Sequence, residues 1–245
     1  MKITYIHHSC FSVELTDSIF LFDYYQGTLP DFPKDKMLYV FASHKHHDHF
    51  DPSIFQLAES YSNITYILSK DIKMSEAYMD RNNISPSARQ CLIYIGKNSI
   101  LELSGNGSFT PIKVETLTST DEGVAFLISI DSKTIYHAGD LNYWTWIGES
   151  DEEFNNMKTS YLREMKKLNE RNIQLAFVPL DPRLEERFWW GLDAFMHNSN
   201  TDYVFPMHFW KDYSVISKLK ALDCSNEYRD KIIDIMEEGQ IFQLD

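Results

Sequence analysis

Ser43-His44-Lys45-His46-His47-Asp48-His49 places four histidines and one aspartate within six consecutive residues. The run ahead of it, Met37-Leu38-Tyr39-Val40-Phe41-Ala42, is apolar throughout and predicts a buried strand. Behind it, Asp51-Pro52 supplies a helix N-cap and a proline suited to the first helical position, opening a helix through Ile54, Phe55, Leu57 and Ala58. The histidines therefore occupy a short loop between two fixed elements. Imidazole and carboxylate are the ligands that divalent first-row metals take, and a catalytic site leaves one position open for water or substrate. In an extended loop His44 and His46 project to one side and can share a metal, while Asp48 and His49 lie past a bend and point toward a second. A polar surface loop with several histidines by chance explains the spacing less well.

The pattern His-x-His-x-Asp-His, here His44, His46, Asp48 and His49 with Lys45 and His47 as spacers, resembles the metal-binding signature of the metallo-β-lactamase superfamily. That resemblance implies a four-layer αββα sandwich of the α/β class, and two more ligands. Tyr136-His137-Ala138-Gly139-Asp140 ends a strand, and a carboxylate there can bridge two metals and offset part of their repulsion. Alone, Gly139-Asp140 would pass for a plain turn; after the histidine cluster, Asp140 resembles the superfamily's bridging aspartate. His137 stands an odd number of residues from Asp140 on the strand and should leave by the opposite face, as a structural residue. Val204-Phe205-Pro206-Met207-His208 runs from strand into loop, and His208 matches the last ligand of the superfamily in place. The implied first metal takes His44, His46 and Asp140; the second takes Asp48, His49, Asp140 and His208. Two divalent ions are expected, zinc foremost and manganese as the alternative.

In one place the match fails. The superfamily supplies a further histidine to the first metal between the cluster and the bridging aspartate, but Val114 to Val124 contains none. Asp121 or Glu122 can offer an oxygen instead, or a hydroxyl of Thr118 or Ser119 can hold a metal water; equally, His44, His46 and Asp140 can stand as three protein ligands plus water, a workable catalytic zinc site.

The rest of the chain sets the frame. With 245 residues, 43% of them hydrophobic, one domain spanning residues 1–245 is expected. Short apolar runs at Ile3 to Ile6, Cys10 to Leu15 and Ile19 to Phe22 predict an antiparallel meander, with His7 and His8 read as turn residues. Later strands are expected at Ile64 to Leu68, Gln90 to Ile95, Ile100 to Leu103, Ile112 to Leu117, Val124 to Ile130 and Lys133 to Tyr136, with breaks at Gly96 and Gly105-Asn106-Gly107 and a hairpin at Asp131-Ser132. Helices are expected at Asp71 to Asp80, Glu152 to Asn169, Leu184 to Met196, Tyr213 to Leu222 and Glu227 to Met236, and strands at Ile173 to Val178, Val204 to Phe205 and Gln240 to Leu244.

A formal charge of −13 argues against gripping a phosphate backbone, so no nucleic-acid partner is expected. Three widely spaced cysteines suggest neither disulfides nor a zinc ribbon. The N-terminus lacks a signal-peptide pattern and no run reaches transmembrane length, so a cytoplasmic protein without membrane partners is the default. All five tryptophans fall between Trp144 and Trp210, several beside the proposed ligands, which suggests an aromatic mouth, although core packing accounts for some of them. Trp144 follows Asp140 closely, and Arg183 has the fork geometry to hold an anionic substrate group, although a solvated arginine is the plainer reading.

The chemistry that follows is hydrolysis. Coordination lowers the pKa of water from about 15.7 toward roughly 7 and so yields metal-bound hydroxide at neutral pH. Asp48 or Asp140 can accept the proton. The opening Ile-x-x-Ile-His-His-Ser-Cys-Phe resembles the small bacterial metal-dependent hydrolases related to ascorbate phosphate lactonase, which implies a small-molecule lactone, ester or phosphodiester as substrate. The alternative is a metal-binding protein of reduced or lost activity, retained for ligand binding or sensing. A di-iron oxidoreductase like the flavodiiron proteins fits less well, since those resemble His-x-Glu-x-Asp-His and position 46 is histidine.

Overall fold

A computed structural model describes residues 1–104 and 109–244. Its thirteen strands form two sheets. The first sheet comprises β1 (Lys2–His7), β2 (Cys10–Glu14), β3 (Ser18–Phe22), β4 (Met37–Ala42), β5 (Ile64–Ser69), β6 (Leu92–Ile95) and, at its edge, β13 (Ile241–Gln243) beside β1. The second comprises β7 (Ile100–Leu103), β8 (Ile112–Thr118), β9 (Val124–Ile130), β10 (Lys133–His137), β11 (Asn172–Pro179) and β12 (Asn200–Met207). Each is mixed: β1 to β3 and β7 to β10 run as antiparallel meanders, while β3 to β6 and β10 to β12 pair in parallel.

Strand periodicity shows why the sheets stack. Along β3, Phe20 and Phe22 join the core between the sheets, whereas Ile19 and Leu21 join a second core on the outer face. Along β4, Tyr39 and Phe41 point inward and Leu38, Val40 and Ala42 outward. Apolar residues on both faces are what a sheet covered on both sides demands, and aromatic and β-branched residues fit its pleat. In the middle, Phe177 of β11 lies 4.4 Å from Phe11 and 5.6 Å from Phe205, ring contacts worth about 0.5–1.5 kcal/mol each beyond burial.

Helices cover the outer faces. A 3₁₀ helix, Pro52–Glu59, together with short α1 (Glu76–Arg81) and α2 (Pro86–Gln90), lies against the first sheet. Across the second sheet lie α3 (Asp151–Met165), opened by a Ser150–Glu153 capping box, and α4 (Trp190–His197), whose Phe195 stacks on Tyr136 at 5.0 Å. The result is the expected αββα sandwich, with α5 (Ser214–Lys220) near its C-terminal end.

Several expected elements differ. The helix at Glu227 to Met236 does not form: two 3₁₀ turns end at Lys231, and Ile232 then bridges Val204 while the Ile233 N–H donates to the Val204 carbonyl at 2.9 Å. The open edge of β12 offers backbone partners, and the extended path also buries Ile232 and Ile235, so tertiary contacts override local helical pattern. The helix at Leu184 to Met196 is broken, because Glu185 adopts φ +52° and only Trp190–His197 is α-helical. The helix at Asp71 to Asp80 splits where Ser75 caps α1 through the Tyr78 N–H, and the strand expected from Gln90 begins at Leu92 after α2. The break expected at Gly105-Asn106-Gly107 lies outside the described residues. Among the described residues no helix is long and apolar enough to cross a membrane, and all three cysteines are free.

Candidate metal centre

The histidine loop leaves β4 at the rim of the sandwich, and its first residue anchors it. Ser43 donates its N–H and its hydroxyl to the two oxygens of Asp23, at 2.7 and 2.6 Å. Asp23 follows β3, and the parallel pairing of β3 with β4 brings it level with the loop. Two glycines let the second sheet come close. A Cβ on Gly123 (φ +69°) would lie 1.9 Å from the Ser43 carbonyl oxygen, and one on Gly139 (φ +52°) would lie 2.6 Å from the Ser43 Cβ. Gly139 thereby sets Asp140 against the loop.

Two groups of side chains converge there: His44, His46 and Asp140 in one, His8, Asp48, His49 and His208 in the other. Asp140 faces both. Its Oδ2 lies 3.3 Å from His44 Nε2, and its Oδ1 lies 3.1 Å from His49 Nε2 and 3.5 Å from His208 Nε2. In the second group, Asp48 Oδ2 lies 3.5 Å from His8 Nε2 and 3.9 Å from His208 Nε2. Ligands about 2.0–2.2 Å from a tetrahedral zinc stand roughly 3.3–3.5 Å from one another, so the spacing fits a shared cation. The four Nε2 atoms of His8, His44, His49 and His208, with Asp140 Oδ1, are buried and have no hydrogen-bond partner among the described residues. Leaving each unpaired costs about 1–3 kcal/mol, a penalty that a cation at their centre would offset.

The opposite edge of three rings is fastened. His49 Nδ1 meets Asp23 Oδ2 at 2.7 Å, His208 Nδ1 meets Asp181 Oδ2 at 2.8 Å, and His44 Nδ1 meets Ser43 Oγ at 3.0 Å. A carboxylate at Nδ1 keeps the proton there and leaves the Nε2 lone pair facing the centre. Burial opposes the charged form of Asp140, yet His49 and His208, with the close contacts from His44 and His49, hold its carboxyl well below the usual range. Burial likewise opposes charging of His49, but Asp140 on one side and Asp23 on the other push its imidazole well above the ordinary value. Ionised carboxylates that favour positive charge on the imidazole this strongly suit a metal ion in the proton's place. Burial brings His8 down to about 4, so it is neutral at pH 7.

The cavity over the centre has a volume of about 600 Å³ and is lined by Asp140, His208, Arg183, Trp144, Trp146 and Trp210 among others. The Arg183 guanidinium lies 4.8 Å over the Trp210 ring and is bound by both oxygens of Asp181, which hold it above its usual pKa. Trp144 donates its Nε1 to the Asp140 carbonyl at 2.9 Å. Trp189 and Trp190 pack against the core instead and do not line the mouth.

Sequence reasoning named His44, His46, Asp48, His49, Asp140 and His208, and the fold gathers all six. Asp121 lines the cavity but stays outside the His44 group, its Oδ2 being 3.9 Å from His46 Nδ1; Glu122 stands at the same distance from His46 Nε2 and pairs with Lys45 at 2.8 Å. The Thr118 hydroxyl accepts from the Asn98 amide at 2.9 Å and the Ser119 hydroxyl accepts the Asp121 N–H at 3.1 Å. His137 is engaged at both ring nitrogens, by the Ser9 carbonyl and the Gly139 N–H, and is structural as expected. His197 is exposed and bonds the Asp193 carbonyl. Three residues were missed. His8 falls where the sequence pattern predicts a turn, and Asp23 and Asp181 belong to no motif. The available signal was position alone, since Asp23 and Asp181 each follow an apolar strand as His44 and Asp140 do.

An αββα sandwich whose rim gathers two His/Asp groups around one carboxylate is the architecture of the metallo-β-lactamase class. A family model described as a β-lactamase superfamily domain matches residues 2–153, and the chain belongs to that family. A UPF0173 metal-dependent hydrolase from Alkaliphilus metalliredigens is 27% identical over 190 residues, covering 74% of this chain and 73% of the relative. Among solved structures, the metallo hydrolase Igni18 from Ignicoccus hospitalis superposes with a TM-score of 0.62 at 19% identity, covering 100% of this chain and 99% of that one. CmlA, a diiron β-hydroxylase from Streptomyces venezuelae, superposes at 0.66 with 11% identity, covering 99% of this chain and 54% of that one. At such identities the two structures speak for the fold alone.

Proposed function

We propose that this chain is a metal-dependent hydrolase acting on a small-molecule lactone, ester or phosphodiester that carries an anionic group. The observation that carries the reading is Asp140, whose Oδ2 faces the buried, unpartnered Nε2 of His44 and whose Oδ1 faces those of His49 and His208. The hydrolase name of its Alkaliphilus metalliredigens relative agrees with it. His44, His46 and Asp140 would hold one divalent ion, and Asp48, His49, Asp140 and His208 a second, with zinc or manganese suited to the nitrogen and oxygen donors.

Bound there, the ions supply acidified water and polarise the bond attacked. The chain's own residues do the rest. Asp48 lines the cavity, and although burial opposes it, His8 and His49 hold its carboxyl far below the ordinary value. It is therefore ionised at neutral pH and could serve as a ligand without first losing a proton. Arg183, kept charged and fixed by Asp181, pairs with the anionic group and orients the scissile bond toward Asp140. Trp144, Trp146 and Trp210 pack against the apolar remainder and shut out bulk water.

The test is turnover of a panel of esters, lactones and phosphodiesters by the metal-loaded protein. Activity toward one class, lost on chelation and in Asp140→Ala, supports the reading. A folded, fully metal-loaded protein that turns over no substrate in the panel would favour the alternative of a binding or sensing protein.

A further inference from the structure

The two groups of ligands are unequal. Where the superfamily pattern leads one to expect another histidine for the first group, none stands, and among the described residues only His44, His46 and Asp140 come together. The second group holds one residue more than the pattern supplies, because His8 sits with Asp48, His49 and His208. We infer that His8 is a ligand of the second metal, and that the two positions consequently load one after the other, the second far more tightly than the first. The inference rests on the metal-centre reading above.

Four observations support it. His8 Nε2 is buried, has no hydrogen-bond partner among the described residues, and stands 3.5 Å from Asp48 Oδ2, too long for a strong hydrogen bond but apt for two ligands of one ion. Its ring packs against those of His208, at 4.2 Å between centroids, and Trp210, at 4.4 Å, which restricts its rotation. The backbone of His8 has φ +52°, a left-handed conformation that a histidine adopts at a cost. That conformation is held on both sides, by the His8 N–H donating to the Tyr5 hydroxyl at 3.1 Å and by the His8 carbonyl accepting the His208 N–H at 3.4 Å. The two-residue turn between His7 and Cys10 accounts for the left-handed backbone, but not for a backbone fastened to the next ligand and a buried, unsatisfied nitrogen beside Asp48, which coordination explains.

The neighbouring His7 provides the control. Its Nδ1 bonds Glu238 Oε1 at 2.6 Å, and the residue belongs to neither group.

The test uses the whole chain with its histidines labelled with ¹⁵N, titrated with zinc alone, and needs no variant for its first reading. At one equivalent, three rings should shift to ligated positions, His8, His49 and His208, before any change at His44 or His46. His8→Gln should remove one of those signals and weaken the tighter binding step, measured by chelator competition, by roughly 10-fold or more, since even outer-sphere partners cost that much. His7→Gln should leave both readings as in the wild type. Two shifted rings in the wild type at one equivalent, or an unchanged first binding step in a folded His8→Gln, overturns the inference while leaving the metal centre standing. No zinc bound at all overturns both.

Discussion

Replacing Asp23 by asparagine changes one oxygen for an NH₂ group in a buried position and so probes how the loop is held. Asp23 is fully buried and accepts three hydrogen bonds, from the Ser43 N–H at 2.7 Å, the Ser43 hydroxyl at 2.6 Å and His49 Nδ1 at 2.7 Å. Burial opposes its ionisation, but His137 and His49 hold its carboxyl below the usual range, so it carries its charge at neutral pH. Asparagine keeps one oxygen, which can stay with the Ser43 N–H, and turns its NH₂ toward the hydroxyl and the imidazole. The hydroxyl can rotate and accept. The imidazole cannot keep a proton on Nδ1 against another donor, so it is left protonated on Nε2 alone, the atom 3.1 Å from Asp140. Two charge-assisted bonds worth about 1.5–3 kcal/mol each are exchanged for weaker neutral ones, so we expect a net loss of about 2–3 kcal/mol in urea unfolding of the metal-free protein. The tautomer change should also weaken zinc binding by roughly 10- to 100-fold in chelator competition. A loss below about 0.5 kcal/mol, the size of an ordinary surface change, with zinc affinity unaltered, would refute the argument that Asp23 sets both the loop and the His49 tautomer.

Three further outcomes follow from the same contacts. Gly123→Ala puts a Cβ 1.9 Å from the Ser43 oxygen at φ +69°, whereas Gly148→Ala, at φ +89° with nothing within 4 Å, meets only the backbone penalty. Thermal unfolding should show a loss of about 1–2 kcal/mol for the second and clearly more for the first, with metal binding impaired only in the first. Although burial raises it, His208 and Arg183 hold the Asp181 carboxyl at about 2 against an ordinary 3.8. A depressed folded-state pKa gives stability that is complete above about pH 4 and lost as pH falls toward 2, here about 2 kcal/mol; the acid limb of stability against pH in the metal-free protein should therefore be steeper in the wild type than in Asp181→Asn. Arg183→Lys loses the planar fork that spans Asp181 and stacks on Trp210, so steady-state kinetics on an anionic substrate should show KM raised roughly tenfold, with neutral analogues little affected.

What the sequence disclosed was the part of the site written as a local pattern. His44, His46, Asp48 and His49 stand in one loop, and the resemblance to the superfamily then picked out Asp140 and His208, each of which follows an apolar strand. The sandwich followed from the same resemblance, and runs such as Ile19 to Phe22 and Leu38 to Ala42, apolar on both faces, agree with it. Contacts made only by chain pairing stayed hidden. Asp23 reaches the loop through the parallel register of β3 and β4, and Asp181 reaches His208 because Leu180 hydrogen-bonds Met207 across two neighbouring strand ends. His8 depends on an irregular register between β1 and β2 and on a left-handed backbone that no periodicity announces. The absent helix at Glu227 to Met236 shows the same limit from the other side, as a helical pattern yielded to an open strand edge.

The central claim is that one carboxylate, Asp140, joins two metal positions. Elemental analysis of protein purified without added metal, repeated after zinc reconstitution and dialysis and again with Asp140→Ala, tests it most directly. The account predicts at least one metal per chain as purified, approaching two on reconstitution, and a loss at both positions in the variant. Less than one metal per chain with no gain on reconstitution, or a variant that binds as much zinc as the wild type, would contradict it.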